Sequence, residues 1–174
     1  EFALETRATM HMGLRQRKNV PSRFRRGFEG EDMYGGLPRL TLGANAALSW
    51  NRIAEYKDDA TSLTFTDVEP LLTPRFVTNQ SMELRAHPRL ALLADGRWIS
   101  RSFLANTGDA RFTTPAFYTI VGGARWHLGA SSVLLQVRNL TDERGYASGY
   151  TDGTTSYFYP IAGRNVMLTI VARF

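Results

Sequence analysis

Three histidines, His11, His87 and His127, and one acidic step, Asp58–Asp59, are the first places to look for metal or proton chemistry in this chain of 174 residues. The histidines stand far apart, and none has a metal-ligand neighbour at a recognisable spacing. Asp58–Asp59 has no catalytic context and reads as a loop. Cysteine is absent, so there is no disulfide framework, thiolate site or cysteine nucleophile. No Ser/His/Asp arrangement, phosphate loop or catalytic carboxylate pair emerges. The expectation is a protein with no catalytic residues, no metal and no cofactor, and not an enzyme.

Two further clusters could bind something. The first is "RQRKNVPSRFRR", Arg15 to Arg26, which carries much of the net charge of +5. A basic run can meet nucleic acid, but a stacking platform needs interleaved aromatics and this run has only Phe24. Anionic lipid headgroups or plain solvation fit equally, and no nucleic-acid partner is expected. The second is "YASGYTDGTTSYFYP", with Tyr146, Tyr150, Tyr157, Phe158 and Tyr159. Such rings either stack on a ligand or form an aromatic girdle at a membrane interface, and the girdle suits some of them.

The elements that carry these residues are strands. In "RLTLGANAALSW", Leu40, Leu42, Ala44, Ala46, Leu48 and Trp50 share one face and Thr41, Gly43, Asn45, Ala47 and Ser49 the other. That alternation lasts about twelve residues. Soluble strands average about five or six, whereas a bilayer-crossing strand needs about nine to eleven. The same alternation recurs in "EFALETRA", "RRGFEGEDMY", "SMELRA", "LALLADGRWIS", "TIVGGARWHL", "SVLLQVRN" and the last strand, "NVMLTIVARF". About eight strands result. In the last, Val166, Leu168, Ile170, Ala172 and Phe174 fall on one side.

Connections alternate in length. "GGLP" (Gly35 to Pro38), "HP" (His87, Pro88) and "GASS" (Gly129 to Ser132) are short, while residues 9–21, 56–75, 106–115 and 147–163 are long. Short periplasmic turns and long extracellular loops are the asymmetry of outer-membrane barrels. Mean hydropathy is −0.26, and no apolar run approaches the roughly 20 residues of a transmembrane helix. That excludes helical spans but not a barrel, whose strands alternate lipid-facing and lumen-facing residues. The fold class expected is therefore all-β: antiparallel strands of a transmembrane β-barrel of the outer-membrane type, which the resemblance described below makes a barrel segment.

On this reading Glu29, Glu31, Glu83, Arg85, Asp95, Arg97, Arg101, Arg125 and Arg138 face the lumen. They would pair with one another across strands or meet whatever fills the interior. Asp32 falls on the lipid side. An interfacial position, or a bulge near Gly30 that resets the faces, would accommodate it.

The order of motifs resembles the C-terminal part of TonB-dependent outer-membrane receptors. "VRNLTDERGY" and "YFYPIAGRNVMLTIVARF" match the family pattern at Asn139, Leu140, Asp142, Tyr146, Pro160, Gly163, Arg164 and Phe174. "SRFRRGFEGE" and "LTLGANAALSWNRIAEY" resemble earlier strands, so the resemblance covers nearly the whole chain. The "NLT" sequon at Asn139 then reads as a turn. The resemblance implies uptake of a scarce ligand such as a siderophore, cobalamin or a glycan. It implies a barrel of about 22 strands, of which residues 1–174 would be a C-terminal portion without the plug domain. It further implies a plug domain and the TonB energy-coupling protein as partners in the parent, with outer-membrane lipid and lipopolysaccharide outside. Val166, Leu168, Ile170, Ala172 and Phe174 would be the signal read by the barrel assembly machinery. The chain begins at Glu1 with no visible leader, which suggests a removed leader or a fragment. The alternative is a complete eight-stranded outer-membrane barrel with a structural or adhesion role.

Overall fold

The computed structural model describes residues 9–11, 14–16, 23–59 and 61–173. Fourteen strands and no helix occur among them. They are β1 (Thr9–His11), β2 (Leu14–Gln16), β3 (Arg23–Leu37), β4 (Leu40–Lys57), β5 (Thr64–Val68), β6 (Phe76–His87), β7 (Leu90–Ile99), β8 (Ser102–Phe103), β9 (Thr113–Thr114), β10 (Phe117–Leu128), β11 (Ser131–Arg138), β12 (Tyr146–Thr151), β13 (Ser156–Pro160) and β14 (Asn165–Val171). Seven of the eight strands expected from the alternation are present as β3, β4, β6, β7, β10, β11 and β14. The eighth, "EFALETRA", lies outside the described residues.

Those seven strands make one antiparallel meander in the order β14-β11-β10-β7-β6-β4-β3, with β5 added alongside β4. β3 has 15 residues, β4 has 18, and β6 and β10 have 12 each. These lengths suit a bilayer crossing. Among the described residues the sheet does not close on itself, and β3 and β14 each have one strand neighbour.

Every turn at one end of the sheet is two residues long: Pro38–Arg39, Pro88–Arg89 and Gly129–Ala130. Two-residue connections favour residues with positive φ, and Gly129 supplies one at 64°. The opposite end carries the long connections, which are not bare loops. β5 lies in one, the β8–β9 hairpin in the next and the β12–β13 hairpin in the third.

Apart from Ala91, beside the Pro88–Arg89 turn, the buried residues sit at that long-loop end. Ile53, Tyr56 and Val68 form a cluster where β4 meets β5, with Phe65 packed against it. Leu104, Ala105, Asn106 and Phe112 are buried in the connection after β7. Asn106 Oδ1 accepts the Leu71 amide at 2.7 Å, and the Leu72 amide donates to the Phe103 carbonyl at 2.8 Å. The loops thus pack on one another, while the strands leave large apolar side chains such as Phe28, Trp50 and Leu168 exposed.

Candidate functional site

A strand register fixes which side chains share a face, because neighbours in the chain point to opposite sides. One row runs Tyr34–Leu42–Met82–Ala94–Gly122–Val137–Val166 across all seven strands. The next runs Leu84–Leu92–Ala124–Leu135–Leu168, and another Leu90–Trp126–Val133–Ile170. Val166, Leu168 and Ile170 are therefore part of one apolar face that continues through the whole sheet. They are 66%, 60% and 66% exposed. Ala172 lies beyond the end of β14, and Phe174 lies outside the described residues.

Aromatic residues bound this face. Trp50, Phe76, Trp98 and Tyr118 stand towards the long-loop end, with Phe76 and Trp98 ring centroids 5.4 Å apart. Tyr34 and Trp126 stand towards the turn end. On β10 the eight residue steps from Tyr118 to Trp126 span about 26 Å along the strand. An apolar band between two aromatic girdles is the outer surface of a membrane barrel.

Asp32 interrupts the band. β3 and β4 stay in register from Arg23 to Tyr34, and the irregularity falls between Tyr34 and Leu37. No bulge at Gly30 turns Asp32 away, so it shares its face with Ala44, Gln80 and Gly96. Gln80 and Tyr118 add polar atoms there. Tyr118 Oη donates to Gln80 Oε1 at 3.1 Å, and Gln80 Nε2 donates to Thr78 Oγ1 at 2.7 Å. The Tyr118 ring reaches across Gly96, where a Cβ would stand 2.0 Å from its hydroxyl. Sequence alternation had no signal for this clasp, which depends on three strands and a diagonal reach.

The opposite face gathers the charged residues. Glu29 pairs with Ala47 and Glu31 with Asn45. Asp95 lies between Ser81 and Val121, and Arg97 between Asn79 and Thr119. Arg138 pairs with Asn165. Asn79 Nδ2 donates to Asn45 Oδ1 at 2.7 Å. A groove of about 430 Å³ runs over Glu31, Asn45, Asn79, Asp95, Arg97 and Thr119. Nearer the turns, Glu83 lies 3.6 Å from Arg125 and 3.9 Å from Arg85. There a second groove of about 300 Å³ includes Arg39, His87 and His127. Arg101 stands apart from the other charged residues, since β7 ends at Ile99 and its guanidinium lies 5.3 Å over Phe103. Two of the three histidines thus lie in one groove with arginines, and no group of metal-ligating side chains forms among the described residues.

The motif after β11 closes a junction. Asn139, buried, adopts φ of 51°, a conformation that Asn tolerates. Its Nδ2 donates to the carbonyls of Glu143 and Ala162, both at 3.0 Å, and its Oδ1 accepts the Glu143 amide at 2.8 Å. The Leu140 amide donates to the Ile120 carbonyl at 2.8 Å. Asp142 Oδ1 accepts the Arg164 amide at 2.9 Å, and a Cβ on Gly163 would sit 3.6 Å from that oxygen. Tyr146 pairs with Pro160 and stacks on Phe158 at 4.4 Å. Seven of the eight motif residues thus lie around the point where the β12–β13 hairpin leaves the sheet; the eighth, Phe174, is outside the described residues.

Neither a family model nor a curated protein matches the sequence. Solved structures do. The ferric yersiniabactin uptake receptor FyuA from Yersinia pestis is similar over 89% of this chain and 24% of its own, with TM-score 0.69 and 17% identity. The ferric preacinetobactin receptor BauA from Acinetobacter baumannii is similar over 98% and 25%, with TM-score 0.67 and 14% identity. The ferric-catecholate import receptor Fiu from E. coli K12 is similar over 87% and 21%, with TM-score 0.66 and 16% identity. The chain spans about a quarter of the length of these proteins. Its fold is that of a segment of the TonB-dependent receptor barrel.

Proposed function

We propose that this chain is wall, C-terminal in its parent, of a TonB-dependent outer-membrane receptor that takes up a scarce ligand across that membrane. The observation that carries the reading is the single apolar face. It crosses seven strands in register, is flanked by aromatic residues, and backs onto a charged face. In water such a surface would be an aggregation hazard; in a bilayer it is the required outer band.

In this account the apolar face meets lipid and lipopolysaccharide. The charged face, including Glu29, Glu31, Glu83, Arg85, Asp95, Arg97, Arg125 and Arg138, lines the lumen and meets a plug domain. The TonB coupling protein acts on that plug from the periplasm. Val166, Leu168, Ile170, Ala172 and Phe174 serve the barrel assembly machinery. The role is transport, not catalysis. The ligand class is a siderophore, cobalamin, a glycan or a similar scarce compound. The three solved receptors described above bear the names of ferric chelates, which makes a ferric chelate the first to try.

The test uses the complete gene product that contains this chain. It is expressed in a strain lacking its own iron-chelate receptors. Outer-membrane fractionation and uptake of labelled ferric chelates and cobalamin are then measured with and without the TonB protein. TonB-dependent accumulation supports the reading. A product that is only a closed barrel of about eight strands, with no uptake, contradicts it and favours the structural or adhesion role.

A further inference from the structure

The β12–β13 hairpin has two aromatic faces with different surroundings. One face carries Tyr146, Gly149 and Phe158. Gly149 is buried, and a Cβ there would meet Leu104 Cδ2 at 3.0 Å. That face packs down on the loop layer. The other carries Tyr150, Asp152, Tyr157 and Tyr159, all exposed. Tyr150 and Tyr157 face each other across the strands with centroids 4.9 Å apart and planes within 14°. Tyr159 stands 6.2 Å from Tyr150 at 40°.

The central ring, Tyr157, is held rather than free. Asp152 Oδ1 accepts the amides of Thr154 and Thr155 and the Thr154 hydroxyl, each at 2.8 Å. Its Oδ2 accepts the Tyr157 hydroxyl at 3.1 Å. The tight turn therefore fixes the carboxylate, and the carboxylate fixes the tyrosine. An ordered row of rings loses little freedom when a further ring joins it. Asp152 is also the only charged residue between Arg144 and Arg164, so the exposed face carries a single negative charge and no cation of its own.

We propose that this tyrosine face is a binding site for a flat aromatic ring that bears no negative charge. An added ring stacks in offset or tilted fashion on Tyr157 or Tyr159. A cationic substituent gains from the ring faces and from Asp152. An anionic substituent is repelled. The receptor reading supplies only the expectation that the hairpin faces the outside of the cell; the ring chemistry follows from the hairpin alone.

The test uses the complete parent protein, extracted from membranes into detergent, and two probes with one ring system. Tryptamine carries an ammonium and indole-3-acetate a carboxylate. The expected result is tryptamine binding at least about tenfold tighter than indole-3-acetate. Y150A and Y159A together should weaken tryptamine about tenfold, and D152N should shrink the preference between the probes. Equal affinities, or tryptamine binding untouched by the tyrosine changes, overturn the proposal and leave the rings as an interfacial girdle. A K57A variant, remote in sequence from the hairpin, controls for general charge effects and should leave the preference intact. Membrane fractionation of the same preparation tests the receptor reading separately. Protein missing from the outer membrane sinks that reading without touching the binding result.

Discussion

Asp142 and Arg164, far apart in the chain, are joined through the backbone: the Arg164 amide donates to Asp142 Oδ1 at 2.9 Å, while the guanidinium stays 3.9 Å from Oδ2. The aspartate therefore holds the start of β14 by its main chain. D142A should cost the parent protein about 1–3 kcal/mol of stability, the worth of one hydrogen bond plus alanine held at φ of 55°. R164A removes only an exposed ion pair and should cost less than about 0.5 kcal/mol. Denaturant unfolding in detergent reads both. A larger loss for R164A would mean that the charge, not the backbone bond, holds the junction.

Asn139 should matter more than either. It is buried and makes three hydrogen bonds, two of them to carbonyls left without that partner if it is truncated. N139A also places alanine at φ of 51°. The expected cost is about 2–4 kcal/mol, with faster hydrogen exchange at the Glu143 amide. Unchanged exchange there would show that the clasp is not needed.

Gly96 and Tyr118 should behave as one unit. A methyl group at Gly96 displaces the Tyr118 hydroxyl and breaks its bond to Gln80. G96A should therefore destabilise the wild-type protein yet be nearly neutral in a Y118A background, with a coupling of about 1 kcal/mol. Additive effects in a double-mutant cycle would contradict the contact.

How much of this could be read from the chain depends on the range of the interaction. Period-2 alternation placed β3, β4, β6, β7, β10, β11 and β14, because the two faces of a strand are written residue by residue in its own sequence. Turn residues such as Pro88 and Gly129 marked the short end. Residues 58–75 and 100–116 carried no such period, since their order comes from contacts like Asn106 with the Leu71 amide. Three of the four expected long loops, 56–75, 106–115 and 147–163, were thus located, but not their hairpins or the buried Leu104 and Phe112, while much of 9–21 lies outside the described residues. The motif residues from Asn139 to Arg164 were legible as a pattern and not as a clasp. Asp32 was legible as an exception, and the register leaves it on the apolar face.

The hairpin tip should resist both acid and base. The amide of Thr155, then the amide and hydroxyl of Thr154, lower the Asp152 pKa well below the usual carboxylate range. Its contribution is therefore present above the ordinary value of 3.8 and persists until the pH falls through the lowered one. Hydrogen bonding to Asp152 raises the Tyr157 pKa above 10.0. That contribution is present below the ordinary tyrosine value and is lost only as the pH rises through the raised one. Amide and ring resonances of Thr154 and Tyr157 should stay fixed from about pH 3 to about pH 9. A transition near the ordinary carboxylate value would refute the arrangement.

The central claim is that one face of the sheet meets lipid. These 174 residues contain no cysteine, so once any cysteine elsewhere in the parent is replaced by serine, single cysteines report on chosen positions. Spin labels at A124C, L135C and L168C, and at R125C, Q136C and M167C, in the complete parent protein in lipid bilayers, would report collision with oxygen and with a water-soluble nickel complex. The first set should favour oxygen and the second set nickel, alternating residue by residue along β10, β11 and β14. Equal access to the nickel complex at both sets, or the reverse alternation, would contradict a lipid-facing apolar surface and with it the barrel-wall account.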